Sequence, residues 1–189
     1  MDLPWGDEKT KQFVTNVGLI TSNGPIGDNI MAAEWTHHIS YNPGLIAVCI
    51  NPSDATHENT SKTKEFGVNI CANDQAVMSS IAGGSTGRKV DKIKVLRELG
   101  FKFYKAKKIK TLMVEGAVLN VECKVIKEIP LGDHTMFIGE VLDAKLNKDK
   151  IPLAYHNLMY GTVAFNIPKP SQEEREKFAK IVEKYKRSE

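Results

Sequence analysis

Three stretches of this chain concentrate residues able to hold a ligand. The first is "GGSTGRKVDK", Gly83 to Lys92, where glycines and small hydroxyl residues run directly into Arg88 and Lys89. Glycines let backbone N–H groups converge on an anion, and two cations add charge. A Walker-type loop is excluded. It needs four residues between its glycines, then Lys and Ser or Thr, whereas Gly83-x-x-x-Gly87 is followed here by Arg88, Lys89 and Val90. A dinucleotide fingerprint lies between a strand and a helix, and the preceding "NDQAVMSSIA" reads as helix. A solvated turn accounts for the same residues. The second stretch, "NPSDATHENTSKTK", crowds Ser53, Thr56, Asn59, Thr60, Ser61 and Thr63 around a helix start, with Lys62 and Lys64 nearby. A helix N-terminus offers unpaired N–H groups and partial positive charge, the ordinary place for a phosphate. A capped helix with polar decoration is the alternative. The third, "GDNIMAAEWT", sets Met31, Ala32 and Ala33 before Trp35. Small side chains let a flat ligand approach the main chain, and a strand packed tightly on a neighbour needs them equally.

Together the three ask for one ligand with a phosphate, a flat ring and a need for main-chain donors, which describes a flavin mononucleotide. Competing chemistries find little support. His37 and His38 are adjacent on a strand and point to opposite faces, so they cannot share a metal. Nothing resembles His-Glu-x-x-His or Gly-x-Ser-x-Gly, so no metal site is expected and a hydrolase triad has no anchor. Cys49, Cys71 and Cys123 are odd in number, widely spaced and each in an apolar run, as buried thiols of a reducing cytoplasm are.

The elements that must position these residues are mostly strands. "VGLITSNGPIGDNIMAAEWTHHIS" reads as two strands joined by a Gly-Pro turn. "GLIAVCIN" is a continuous apolar run, as in a strand buried on both faces. "TKEFGVNICA" holds another strand. Short helices are expected from near Thr56, over "NDQAVMSSIA" with Asn73 as N-cap, and over "DKIKVLRELG" from Asp91 to Gly100. In "LNVECKV", Leu119, Val121, Cys123 and Val125 alternate with Asn120, Glu122 and Lys124, which predicts one buried and one exposed face. "LGDH" turns this strand back into "TMFIGEVLDA". After "NIPKP", Ser171 and Glu174 form a capping box, and Phe178, Ile181, Val182 and Tyr185 share a helical face. That helix packs either on its own domain or on a partner subunit.

Many strands and few helices argue for a mainly β fold, an antiparallel barrel with helical excursions. At 189 residues one principal domain is expected, at residues 1–167, with a C-terminal helical extension at 168–189. The net charge of +3 is dispersed and gives no argument for nucleic acid. No apolar run is long enough to span a membrane, and "MDLPWGDEKTK" lacks the apolar core of a signal peptide, so the cytoplasm is expected.

An ordered series carries a more specific signal: "NIMAAEW", "SYNPGLIAVCIN", "THENTSKTKEFGVNI", "GGSTGRKVDK", "VECKV" and "GDHTMFIGEV". From about Val17 to about Lys148 the chain resembles the flavin reductase-like family, the FMN-binding split barrels that include flavoredoxins and an archaeal ferric reductase. The resemblance implies a six-stranded split β-barrel that forms a homodimer with FMN, or FAD, near the interface. It implies that Met31, Ala32, Ala33, Glu34, Trp35 and Thr36 line the isoalloxazine. Cys49, Ile50, Asn51, Ser53, Thr56 and His57 would follow the ribityl chain to the phosphate, and Arg88 and Lys89 would supply cations. His134 matches a histidine beside the flavin where a nicotinamide could stack. The activity implied is NAD(P)H-dependent reduction of flavin, with electrons passed to a small-molecule or protein acceptor. A flavoredoxin-like carrier and a non-redox phospholigand-binding barrel are the alternatives.

Overall fold

The computed structural model describes residues 1–164 and 166–186. Among the described residues, twelve strands and four α-helices follow one another. They are β1 (Thr15–Asn16), β2 (Gly18–Ser22), β3 (Asn29–Ala33), β4 (Thr36–Tyr41), β5 (Gly44–Ile50), α1 (Ala55–Thr63), β6 (Glu65–Ile70), α2 (Ala76–Gly84) and α3 (Lys92–Glu98). Then come β7 (Phe103–Lys105), β8 (Leu112–Val114), β9 (Leu119–Leu131), β10 (His134–Leu146), β11 (Leu153–His156), β12 (Met159–Thr162) and α4 (Gln172–Lys184).

Seven strands form one antiparallel sheet in the order β3-β2-β6-β9-β10-β5-β4. Its two edge strands, β3 and β4, are consecutive in the chain and joined only by Glu34 and Trp35. Three peptide steps reach at most about 11 Å. The sheet must therefore curl until its edges meet, and a barrel results. At the seam the Thr36 N–H donates to the Glu34 carbonyl at 3.1 Å and the Thr36 hydroxyl to the Ala33 carbonyl at 3.2 Å. A Cβ on Gly18 would lie 2.4 Å from that hydroxyl, so β2 passes the seam where only glycine fits. The tight turn at Trp35 also divides the second expected strand in two, giving seven strands where six were expected.

Two apolar cores flank the sheet. Ile20, Val48, Ile50, Phe66, Val68, Cys123 and Phe137 fill the barrel. Leu19, Ile30, Met78, Ala82, Ile93, Leu96 and Val114 join its outer face to α2 and α3. Strand β2 serves both, with Leu19 and Ile20 each fully buried on opposite faces. Strand β5 does not: Ile46, Val48 and Ile50 point into the barrel, while Cys49 is only half-buried because its side opens onto a cleft.

The alternation in β9 holds for its inner face alone. Asn120 and Glu122 are also buried, because the β7–β8 hairpin covers them. The Glu122 carboxylate accepts from the N–H groups of Lys107, at 2.9 Å, and Lys108, at 2.6 Å. Asn120 donates to the carbonyl of Val114. Helix α2 is preceded by a 3-10 turn at Asn73–Gln75 with Ala72 as its cap, so Asn73 opens that turn and does not cap the helix. The Asp91 cap of α3 and the Ser171–Glu174 capping box of α4 form as expected. Helix α4 has no buried residue, and Phe178, Ile181, Val182 and Tyr185 remain exposed. It does not dock on its own domain among the described residues.

The long β9–β10 hairpin is bulged between Ile138 and Gly139. A Cβ on Gly139 would meet the Phe66 ring at 2.5 Å and the Cys123 Cβ at 2.8 Å. Both neighbours are fully buried and cannot yield cheaply. Gly139→Ala is therefore expected to cost about 1–3 kcal/mol, read as a lower urea midpoint at unchanged slope.

Candidate ligand-binding cleft at the barrel seam

A cleft of about 600 Å³ opens where the edge strands meet. Its floor is Met31 to Trp35, together with Cys49 and Asn51 from the end of β5. Strand β3 pairs with β2 and with no other strand, so its outer edge presents main-chain donors and acceptors that a ligand can use. The turn of the long hairpin contributes Asp133 and His134. The ring centroids of Trp35 and His134 are 4.7 Å apart, with planes inclined by 59°. Nδ1 of His134 lies 2.8 Å from Oδ1 of Asp133, and this hydrogen bond holds the Asp133 carboxyl below its usual range. Burial pushes the Cys49 thiol up, so it is a protonated floor group. The far wall comes from Tyr155 and Leu158 and from an N-terminal segment that includes Trp5 and Phe13.

A second pocket of about 160 Å³ adjoins it, sharing Met31, Ala32 and Asp54. Here the loop after α2 closes on the start of α1. A Cβ on Gly87 would lie 2.2 Å from the Asn29 side-chain oxygen and 3.1 Å from the Ala55 Cβ, so only glycine permits that approach. Asn29 in turn donates to the Thr56 hydroxyl at 2.8 Å. Asp54 occupies the N-cap of α1 without a side-chain cap bond, which leaves the N–H groups of the first turn without that partner. Lys92 supplies the charge. It is 3% exposed, and its ammonium donates to the Ala82 carbonyl at 2.8 Å. Burial lowers its pKa to about 8, against an opposing pull from Asp54. Uncapped helix donors, a buried hydroxyl, a buried ammonium and a glycine-tight loop suit a phosphate ester.

The expected residues fall into three groups. Met31, Ala32, Ala33, Glu34, Trp35, Cys49, Asn51 and His134 line the large cleft, and Thr56 lines the small pocket. Thr36 and Ile50 are buried in the seam and the barrel, and Ser53 is exposed and bonded to Asn51. His57 lies behind the site, its Nε2 2.9 Å from the Thr135 hydroxyl and its ring edge-on to Phe137. Burial lowers the His57 pKa, outweighing Glu128 and Asp54. Arg88 does join the glycine loop to α1, donating to the Ser53 carbonyl at 2.9 Å and to Glu58 at 2.8 Å, but it lines neither cavity. Lys89 is exposed and lines neither cavity. Lys92 and Asn29 do line the small pocket and were not singled out from the sequence. A signal exists for Lys92: it stands four residues before Leu96, on the stripe that α3 buries.

Fold and site together define an antiparallel barrel with a main-chain-floored cleft at its seam and a small pocket holding a buried ammonium beside it. The flavin reductase like domain matches residues 10–164, and the chain belongs to that family. A ferric-chelate reductase (NAD(P)H) of Archaeoglobus fulgidus is 30% identical over 123 residues, 65% of this chain and 70% of its own. The structure of the flavin reductase PheA2 in its native state superposes with a TM-score of 0.72 at 29% identity, over 87% of this chain and 99% of that one. A flavoredoxin of Methanosarcina acetivorans shares the fold with a TM-score of 0.77 at 21% identity, over 93% of this chain and 98% of that one. No helix among the described residues is long and apolar enough to cross a membrane.

The buried Lys92 makes ligand-free stability depend on pH. Below pH 8 both folded and unfolded chains carry the ammonium, and the folded chain bears its full burial cost. Between about 8 and the ordinary value of 10.5 the folded chain loses the proton first, so stability rises with pH. The rise expected from Lys92 is about 3 kcal/mol at most. Urea unfolding at pH 7.5 and pH 10 should show it in the wild type and lose it in Lys92→Met.

Proposed function

We propose that this protein is a flavin-dependent oxidoreductase, taking a hydride from NAD(P)H and passing electrons to free flavin, a ferric chelate or a protein acceptor. The observation that carries this is the adjacency of two unlike cavities that share Met31, Ala32 and Asp54: a wide cleft floored by open main chain lies beside a small pocket holding an uncapped helix start and a buried ammonium. FMN has that division of chemistry, and FAD could enter by the same phosphate. When bound, the flavin supplies hydride acceptance and onward electron release.

The chain's own residues bind and orient. Lys92, the Thr56 hydroxyl and the first turn of α1 hold the phosphate, and Gly87 lets the loop close over it. Arg88 acts through Ser53 and Glu58, keeping that loop against α1. The outer edge of β3 meets the ring, with Glu34 at its margin. Asp133 holds Nδ1 of His134, which leaves Nε2 as the ring nitrogen proposed to position an incoming nicotinamide. The Trp35 ring beside it limits where that ligand can lie.

The assembly is proposed to be a homodimer in the cytoplasm. Three free cysteines support a reducing compartment. The chain is proposed to divide into residues 1–167 and 168–189, supported by the family match ending at residue 164 and by the exposed faces of α4. Light scattering should give twice the monomer mass of 21.0 kDa. A single-chain mass excludes the dimer.

The protein as purified, or after adding FMN, is expected to show bands near ~370 and ~450 nm that bleach with NADH or NADPH under argon. A coloured protein that nicotinamide does not bleach within a turnover is a flavoredoxin-like carrier. A colourless one that refuses FMN and FAD is a non-redox phospholigand barrel. Lys92→Met should weaken FMN binding by about tenfold to a hundredfold, as loss of a charge-assisted bond does, and Lys89→Ala should leave it unchanged. Phosphate raises the pKa of Lys92 in the complex above about 8, so binding takes up a proton above that pH. FMN affinity is therefore expected to fall between pH 8 and pH 10, by at most tenfold per pH unit, and to lose that dependence in Lys92→Met.

A further inference from the structure

The family match begins at residue 10, yet part of the cleft wall is built from residues before it. Leu3, Pro4, Trp5 and Gly6 all line the large cavity. They form a turn in which the Asp7 N–H donates to the Pro4 carbonyl at 3.1 Å and Gly6 has φ +84°, the left-handed value a type II turn requires at its third position. The Thr10 hydroxyl donates to the Pro4 carbonyl at 3.0 Å and the Asp7 carbonyl at 2.9 Å, locking the turn to the following 3-10 helix. The Asn157 N–H then donates to the Lys11 carbonyl at 3.2 Å, tying this strap to the β11–β12 hairpin. The first residues are thus an organised wall and not a loose tail.

Trp5 occupies the second position of that turn, a corner from which a side chain projects. The residue is 74% exposed and lines the cavity, although its backbone is held in the turn. Six residues on, Lys11 lines the same cavity and is the one Lys or Arg among its described lining residues, its ammonium paired at 2.5 Å with the exposed carboxylate of Glu8. One strap therefore offers an unused aromatic face over a floor the flavin would occupy, and a lysine whose partner, Glu8, is an exposed carboxylate that a ligand anion can replace. A ligand matching both has a flat heteroaromatic ring attached to a pyrophosphate.

We propose that Trp5 stacks on a ring of the nicotinamide dinucleotide, making residues 3–11 part of the electron donor's binding site. This rests on the flavin-dependent reading above. Stacking of a base on an aromatic side chain is worth enough to change affinity about tenfold. In the FMN-loaded protein, Trp5→Ala is expected to raise KM for the reduced dinucleotide by about tenfold, with FMN affinity within about twofold of wild type, and Trp5→Phe should recover most of the loss. Trp5 and Trp35 are the two tryptophans of the chain, so Trp35→Phe leaves Trp5 as sole reporter. Adding NAD⁺ to that FMN-loaded variant should quench its emission. Quenching by nicotinamide mononucleotide places the nicotinamide on Trp5, and quenching by ADP alone places the adenine there; either supports the assignment. No quenching at saturating NAD⁺, an unchanged KM in Trp5→Ala, or a loss of FMN affinity in that variant overturns it. Those results leave wild-type flavin binding and bleaching intact, whereas a wild type that binds no flavin sinks the underlying reading instead.

Discussion

The link between β3 and β4 is two residues long, and the two edges of the seven-stranded sheet can be no farther apart than it reaches. Closure of the barrel follows from that tether. So does the site. β3 and β4 do not pair with each other across that link, since β3 pairs with β2 and β4 with β5, and the outer edge of β3 is left without a strand partner where the barrel closes. Exposed strand edges are liabilities that proteins ordinarily cover. Here the N-terminal strap and the β11–β12 hairpin stand over the edge without pairing with it, and the space between is the cleft.

The same tether explains why small residues stand where they do. Ala33, Thr36 and Gly18 meet at the seam, and Gly18 has no room for a Cβ beside Thr36. Ala32 faces the other way, with a Cβ on Gly83 only 3.3 Å from its own, so α2 packs closely behind the floor. The loop leaving α2 is thereby delivered to the start of α1, and Gly87 closes the contact. The cleft floor and the small pocket are two consequences of one packing arrangement, with Met31 and Ala32 common to both.

Much of the barrel is legible in the sequence because its strands alternate or run apolar and its hairpins carry glycine. The glycine loop and the α1 start are also legible as neighbours through the ordered motifs, and the contacts of Arg88 with Ser53 and Glu58 show the two segments meeting. What periodicity hides is what covers the second face. Asn120 and Glu122 look like solvent positions until a lysine-rich hairpin supplies backbone donors to the buried carboxylate. Lys92 is hidden for the same reason: its charge reads as surface, and only the packing of α3 on α2 shows it to be inside. Trp5 is hidden differently, since a turn near a terminus has no periodicity to read and its role depends on a hairpin that lies more than a hundred residues away.

The placement of the cations separates two demands that compete in any site for an anionic ring system. A phosphate needs a strong local charge, but the same charge spread along the cleft would hold the ligand by position-independent attraction and fix no orientation. Lys92 is buried and lines the small pocket with Thr56 and Gly87, so its charge is concentrated there and not spread along the large cleft. Arg88 is spent on Glu58, and the large cleft keeps a mainly neutral or acidic lining. A buried ammonium destabilises the empty fold, and burial lowers its pKa accordingly. The phosphate proposed for this pocket would offset that cost by giving the charge a partner in the same low-dielectric space. A residue that weakens the ligand-free fold is therefore, under the proposed function, one that favours the loaded state over the empty one.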